Sequence, residues 1–312
     1  MRVLLTGGAG FIGSHVVDGL LEEGCEVMVL DDLSSGRREN VPDGATFVRC
    51  DIRDRDAVRR AFLDFRPRVV SHQAAQTSVS VSVREPRRDA EINVIGSLEV
   101  LLASVEVGVE RFVFASTGGA IYGEVPEGVR AAPGHPLVPI SPYACSKLAF
   151  ENYLAAYGIG RDLSFTVLRY ANVYGPRQDP HGEAGVVAIF SQRLLEGAPL
   201  QINARESRGD DGCVRDYVYV GDVVRANLRA ARGALGEPIV NVCTGEATTT
   251  EELARALARA FAVEPELTHA EPRDGDLKRS VLEPDPSAFG GEPLELGEGI
   301  GRTADWFRRM TS

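Results

Sequence analysis

Lysine is almost missing from this chain. The sequence carries 34 lysines and arginines together, yet Lys147 and Lys278 are its two lysines. A lysine kept against such a bias points to a task for a compact ammonium that a planar guanidinium does not perform. Cysteine is sparse as well: Cys25, Cys50, Cys145, Cys213 and Cys243 are scattered, odd in number and never spaced C-x-x-C. That spacing excludes a disulfide framework and leads us to expect reduced, mostly buried thiols. His15, His72, His135, His181 and His269 show no ligand spacing with cysteines or carboxylates, so no metal is expected. No apolar run approaches the ~20 residues that cross a bilayer. Basic runs are absent too, and a formal net charge of −11 argues against a nucleic-acid surface. A few arginines inside a cleft would still hold an anionic small ligand. Met1 and Arg2 lead directly into a first strand and leave no room for a signal peptide, so the expected setting is cytoplasmic, with no membrane partner.

What is present begins at once. Val3-Leu4-Leu5 is a short apolar run, followed by Thr6-Gly7-Gly8-Ala9-Gly10-Phe11-Ile12-Gly13 and then by Val16, Val17, Leu20 and Leu21 at helical spacing. A strand therefore passes through a glycine turn into a helix. An early glycine makes the tight turn, Gly10 lets backbone approach a pyrophosphate, and Gly13 lets helix and strand pack closely. The positive end of that helix would hold the phosphates. Glu26 to Leu30 reads as the next strand, and Asp31 stands at its end, where a carboxylate accepts from adenosine ribose hydroxyls. An acid there repels a 2′-phosphate and favours NAD over NADP, although Arg37 and Arg38 lie close by.

Strand and helix signals then alternate. Ala45 to Val48, Arg68 to Ser71, Arg111 to Ala115 and Phe165 to Tyr170 read as strands; Asp56 to Phe65 and a long segment from Glu85 to Val107 read as helices. Such alternation predicts a Rossmann-type, doubly wound parallel α/β sheet, with ligands at the carboxyl ends of its strands. Beyond about residue 175 the rhythm loosens. Residues 1–174 are expected to form a cofactor-binding domain, with a sheet contribution from about 213–245, and residues 175–312 a smaller α/β lobe for substrate. Thr248 to Phe261 reads as an amphipathic helix capped by Thr248, Thr249 or Thr250.

Ser141-Pro142-Tyr143-Ala144-Cys145-Ser146-Lys147 contains one of the two lysines four places after a tyrosine. Pro142 can start a helix, which puts Tyr143 and Lys147 one turn apart on one face. A nearby ammonium and a nicotinamide cation would both lower the tyrosine pKa and make it a base. Lys147 could also bond the nicotinamide ribose. Ser116 or Thr117, at the end of the Phe112-Val113-Phe114 strand, could bridge the tyrosine and a substrate hydroxyl.

Together these residues resemble the extended short-chain dehydrogenase/reductase family and, within it, the UDP-glucose 4-epimerases. The resemblance runs the length of the chain. It also rests on Leu30-Asp31-Asp32-Leu33, Asp51-Ile52-Arg53-Asp54, His72 to Gln76, Asn93, Ser116 to Gly123, Arg169 to Arg177, Val214-Arg215-Asp216-Tyr217 and Arg273-Asp274-Gly275-Asp276. It implies tightly held NAD and a UDP-hexose substrate. C4 would be oxidised transiently to a 4-keto sugar, which turns over and takes hydride back on its other face. By the same resemblance NAD would be held by Gly7, Gly10, Phe11, Ile12, Gly13, Asp31, Asp32, Ser34, Gly36, Asp51, Ile52, Gln73, Ala74, Ala75, Gln76, Asn93, Ser116, Tyr143, Lys147, Tyr170 and Val173. Tyr143, Lys147 and either Thr117 or Ser116 would be catalytic; counting from Phe114 selects Thr117. Thr117, Tyr143, Asn172, Arg215, Arg273, Asp276 and Ser280 would face the substrate. The family's 4,6-dehydratases carry Asp-Glu directly after the catalytic threonine, where this chain has Gly118 and Gly119. Epimerases of N-acetylated or uronate UDP-sugars remain alternatives, as does a cofactor-binding sensor without catalysis. In the family two helices, here Glu85 to Val107 and Tyr143 to Tyr157, pair two subunits, which implies a homodimer.

Overall fold

The computed structural model describes residues 1–160, 163–181, 185–273 and 275–311. In chain order its elements are β1 (Arg2–Thr6), α1 (Phe11–Glu22), β2 (Glu26–Asp31), β3 (Thr46–Arg49), α2 (Arg55–Phe65), β4 (Val69–His72), α3 (Val79–Arg84), α4 (Pro86–Ala90), α5 (Ser97–Val107), β5 (Arg111–Thr117), α6 (Gly118–Ile121), α7 (Pro142–Gly160) and β6 (Ser164–Tyr170). The later half adds β7 (Asn172–Tyr174), α8 (Val186–Glu196), β8 (Leu200–Asn203), β9 (Val214–Arg215), β10 (Tyr217–Tyr219), α9 (Val220–Ala231), β11 (Ile239–Val242), β12 (Thr248–Thr249), α10 (Thr250–Phe261), β13 (Leu267–Ala270), β14 (Arg279–Ser280) and α11 (Leu296–Thr311).

Alternation along β1 builds the three layers. Successive strand residues face opposite sides. Leu4 packs with Met28, Val70, Phe112 and Phe114 against α2, α5 and α7. Val3 and Leu5 pack with Val27 and Val29 against Val16, Val17 and Leu20 of α1. The sheet has seven strands in the order β11-β6-β5-β4-β1-β2-β3, all pairings parallel. The order reverses at β1, so the carboxyl ends of β1 and β4 open a crevice there. β11, drawn from late in the chain, closes one edge by pairing Ile239 with Val167.

Two expected elements differ. The helix expected from Glu85 to Val107 is divided: α4 and α5 flank a π-helical stretch, Glu91–Gly96. The wider turn aims the Asn93 side chain inward, where the amide donates to the Gln76 carbonyl at 2.9 Å and to the Ser146 hydroxyl at 3.2 Å. The helix expected from Thr248 begins at Thr250, because Thr248 and Thr249 pair with β9. Thr249 is its cap, in a reciprocal capping box with Glu252.

The later segments form a second core in which Val187, Phe190 and Leu194 of α8 meet Leu200, Ile202, Leu253, Leu257, Ile300 and Phe307. Among the described residues no helix is long and apolar enough to cross a membrane.

Candidate active site

The glycine turn at the end of β1 is held by contact from both sides. Gly7 has φ +72°, and a Cβ there would sit 2.6 Å from the Ala74 backbone nitrogen. A Cβ at Gly13 would collide with the Gly7 carbonyl. No side chain caps α1 at Gly10, and no acid stands in its first turn. That leaves an uncompensated helix start, lined by backbone, of the kind a pyrophosphate fits. Asp31 is buried; its carboxylate accepts from the N–H groups of Ala9 at 2.9 Å and Leu33 at 2.8 Å. Burial pushes its pKa up, against those two bonds. A carboxylate with one donor on each oxygen keeps lone pairs for ribose hydroxyls, so Asp31 both braces the glycine turn and suits a ribose.

Both nearby arginines are engaged elsewhere. Arg37 pairs with Glu39 and Asp179 at 3.9 and 3.8 Å. Arg38 donates to the Val41 carbonyl at 2.9 Å and lies 4.8 Å over the Phe47 ring. Asp32 accepts from the Ser34 N–H at 2.9 Å, and Gly36 packs directly on Ala9. Asp51 turns instead to Arg53 at 2.6 Å, and that bond lowers its pKa. Ile52 is buried, and a Cβ at Gly96 would meet its side chain.

The segment after β4 is a polar lattice. Gln73 donates to Asn227 at 2.9 Å, Asn227 donates to the Tyr170 hydroxyl at 2.8 Å, and that hydroxyl donates to Gln73 at 3.2 Å. The Ala74 N–H donates to Thr6 at 3.2 Å, and the Gln76 N–H donates to Asn93 at 2.8 Å. Ala75 lies half-buried between them, and Val173 and Ile12 pack against the same core cluster. Sequence reading missed Asp89, which is buried and accepts from the side chains of Gln76 at 2.9 Å and Asn93 at 3.0 Å. One partner, Asn93, stands a single turn on, but the other, Gln76, comes from the segment after β4, so the pattern along the helix alone does not mark it.

Ser141 caps α7 by accepting from the Ala144 N–H at 3.2 Å, and Pro142 takes the first turn. Lys147 is buried; its ammonium donates to the Ala115 carbonyl at 2.7 Å and lies 4.7 Å over the Phe114 ring. Burial pushes its pKa down to about 8, while the carboxylates of Asp89 and Glu151 pull it partway back. Tyr143 differs from expectation. Burial pushes its phenol up to about 12, outweighing a hydrogen bond with Thr117, and Asp89 adds to the rise. The chain's own groups thus hold Tyr143 as a neutral phenol, and an added positive charge beside it is what would bring it down.

Ser116 and Thr117 part company here, since neighbours on a strand face opposite ways. Thr117 is the one whose hydroxyl lies close enough to Tyr143 to lower its pKa. Ser116 was expected both as an alternative catalytic hydroxyl and as a cofactor contact. It is instead buried and donates to Glu151 at 2.5 Å. Glu151 in turn holds Arg169, which is 2% exposed and so has no solvent to fall back on, at 2.6 Å.

The expected substrate residues gather at the edge of the second core. Asn172 donates through its N–H at 2.9 Å and its side chain at 3.2 Å to the Asp216 carbonyl. A Cβ at Gly119 would lie 3.6 Å from the Asn172 amide nitrogen. Arg215 is half-buried, donates to the Val214 carbonyl at 3.0 Å, and stands in register beside Ser280. Ser280 is buried on β14. Arg273 is exposed and donates to Asn203 at 3.0 and 3.2 Å once that amide is turned to satisfy both groups. Asp276 is exposed, its N–H donating to the Arg273 carbonyl at 3.3 Å. Asp274 lies outside the described residues. An open cleft of about 820 Å³, lined by Gly128, Arg130, Gly245, Glu246, Ala247, Arg279 and Glu283, contains none of these site residues.

A model of the NAD dependent epimerase/dehydratase family matches residues 3–243. The chain is 46% identical over 319 aligned residues to the UDP-glucose 4-epimerase of Mycolicibacterium smegmatis, covering all of both chains. It superposes on the Thermus thermophilus UDP-glucose 4-epimerase in complex with NAD with a TM-score of 0.94 at 58% identity, covering 99% of each chain. The UDP-glucose 4-epimerase of Thermotoga maritima with UDP-glucose gives 0.93 at 46% identity, covering 100% of each chain.

Proposed function

The chain belongs to the NAD dependent epimerase/dehydratase family, and from that premise we propose that it interconverts UDP-glucose and UDP-galactose by inverting the C4 hydroxyl. The observation that carries the reading is the convergence of Thr117, Tyr143 and Lys147 at the end of β5. Bound NAD supplies the redox chemistry, taking hydride from C4 and returning it. Every proton is handled by the chain. The positive charge of a bound nicotinamide would favour the Tyr143 phenolate over the phenol that the chain alone holds. As phenolate it takes the proton of the sugar 4-hydroxyl and gives it back after the ring has turned, with Thr117 bridging it to the substrate. Lys147, fixed by the Ala115 carbonyl, holds the ribose, and its charge favours the phenolate that starts the cycle. Gly7, Gly10 and Gly13 hold the pyrophosphate and Asp31 the adenosine ribose. Asn172, Arg215 and Arg273 hold the UDP phosphates and ribose, and Ser280 faces the hexose.

A 4,6-dehydratase needs an acid and a base directly after Thr117. Glycines stand in both places, and a Cβ at Gly118 would collide with Leu282. Two copies pair through the outer faces of α5 and α7, where Leu102 and Tyr153 lie exposed beside Ile95 of the π-helical stretch. Five free cysteines suit a reducing, cytoplasmic setting.

Two experiments test this. Purified protein should carry NAD and interconvert the two sugars without added cofactor; stoichiometric release of NADH with an oxidised sugar would make it a dehydrogenase instead. Tyr143→Phe should lower kcat by ~10³-fold with NAD and UDP binding retained. Lys147→Arg should also be severely impaired, since the fork does not replace an ammonium at the Ala115 carbonyl. Near-normal turnover in either variant would remove that residue's role.

A further inference from the structure

Asp216 belongs to the Val214–Tyr217 run, yet no task so far needs its side chain. It is fully buried. One carboxylate oxygen accepts from the Thr244 N–H at 3.0 Å and the Thr244 hydroxyl at 2.9 Å. The other accepts from the N–H groups of Gly245 at 2.9 Å and Leu282 at 3.4 Å. All four partners are donors, shared two to each oxygen. An ionised carboxylate is acceptor-only and serves all four, whereas an amide of the same shape turns its own NH2 onto two of them. Burial pushes the Asp216 pKa up, and these bonds oppose it.

The main chain of the same residue adds a further link, since its carbonyl receives both donors of Asn172. One residue therefore ties together β7, the β9–β10 junction, the turn after β11 and the segment after β14. Those segments carry Asn172 and Arg215 and adjoin Ser280, which lies on β14 two residues before Leu282. We infer that Asp216 is a positioning residue: its carboxylate locks the phosphate-facing Asn172 and Arg215 and the sugar-facing Ser280 at a fixed spacing. The inference rests on the reading of this region as a nucleotide-sugar site. A carboxylate that merely supported the fold would affect yield and melting temperature but not the affinity for substrate.

The test compares wild type with Asp216→Asn by steady-state kinetics on UDP-galactose, calorimetric titration with UDP, and bound NAD content. The expected result is a ~10-fold rise in both KM and the UDP dissociation constant, with kcat within ~3-fold and NAD content unchanged. KM and UDP affinity within about twofold of wild type would overturn the inference, as would a loss of kcat accompanied by loss of NAD. Should Asp216→Asn fail to fold, Thr244→Val decides, because it removes a single hydroxyl donor and keeps the N–H. It should raise KM and weaken UDP by ~3-fold, and an unchanged affinity would overturn the proposal. A wild-type protein that neither binds UDP nor turns over UDP-galactose would defeat the functional reading and this inference together. An active wild type with unshifted variants would defeat the inference alone.

Discussion

Ser116 and Thr117 are separated by one peptide bond and serve different ends. Thr117→Val should lower kcat by ~10²-fold with little change in stability. Ser116→Ala should keep most activity but lower stability by ~1–2 kcal/mol, because Glu151 loses a buried donor. Kinetics and denaturant midpoints on the pair check this, and the opposite ranking would exchange the two roles. His72 supplies a pH dependence. Ser97 donates to the Asn93 carbonyl and so accepts from Nε2 at 2.8 Å, and in the neutral ring Nδ1 is then the acceptor for the Thr6 hydroxyl at 2.6 Å. Burial, with the Lys147 charge, pushes its pKa down to about 3 and keeps the ring neutral. The folded pKa is depressed below the ordinary value of 6.5, so between these two values the unfolded chain binds the extra proton. Stability is whole above pH ~6.5 and declines as pH falls toward 3. Denaturant midpoints measured down this range should fall, with a shallower slope in His72→Asn; equal slopes would show that His72 does not contribute.

At the scale of elements, β14 is the strand that the proposed function sets against the sugar. Glu124 accepts from the N–H groups of Lys278 at 2.8 Å and Arg279 at 2.7 Å, and the Arg279 guanidinium donates to the carbonyls of Pro126 and Val129 at 2.6 and 2.7 Å. A strand held this firmly would not shift to enlarge a sugar pocket, so on the proposed function the side chain at Ser280 would set its size. UDP-N-acetylglucosamine should therefore be epimerised as well as UDP-glucose. Ser280→Tyr should abolish the first activity, by ~10²-fold or more, and spare the second. Wild type inactive on the N-acetyl sugar would refute this. The contrast with what was legible is instructive. The glycine turn, Tyr143, Lys147 and the capped α10 could be read because each is a local pattern of spacing or propensity. The π-helical stretch, Asn227, Glu151 and Asp216 could not, because their meaning lies in hydrogen bonds to other segments of the chain, and Asp89 shares that limit through Gln76. Tyr143 shows the same limit in its energetics: its spacing to Lys147 was legible, but not the burial that outweighs the charge.

For the molecule as a whole, alternation of strands and helices was enough to indicate the parallel sheet, since each strand's period and each crossover are local. Assembly was not encoded so openly. Val83, Ile95 and Leu102 on one stretch and Tyr153 and Ile159 on α7 stand exposed, an arrangement that solvent disfavours and a second copy would cover. Light scattering coupled to sizing should report a dimer at micromolar concentration; a monomer would count against the pairing of α5 and α7. The late origin of β11 has a consequence for synthesis. β6 ends at Tyr170, and the strand that covers its outer edge begins at Ile239. At roughly 5–20 residues per second, a nascent chain carries β6 for several seconds with a row of unpaired backbone groups. During that interval the half-made sheet offers an edge to any other emerging strand, so crowded polysomes, rather than the finished protein, are where this fold is most exposed to aggregation.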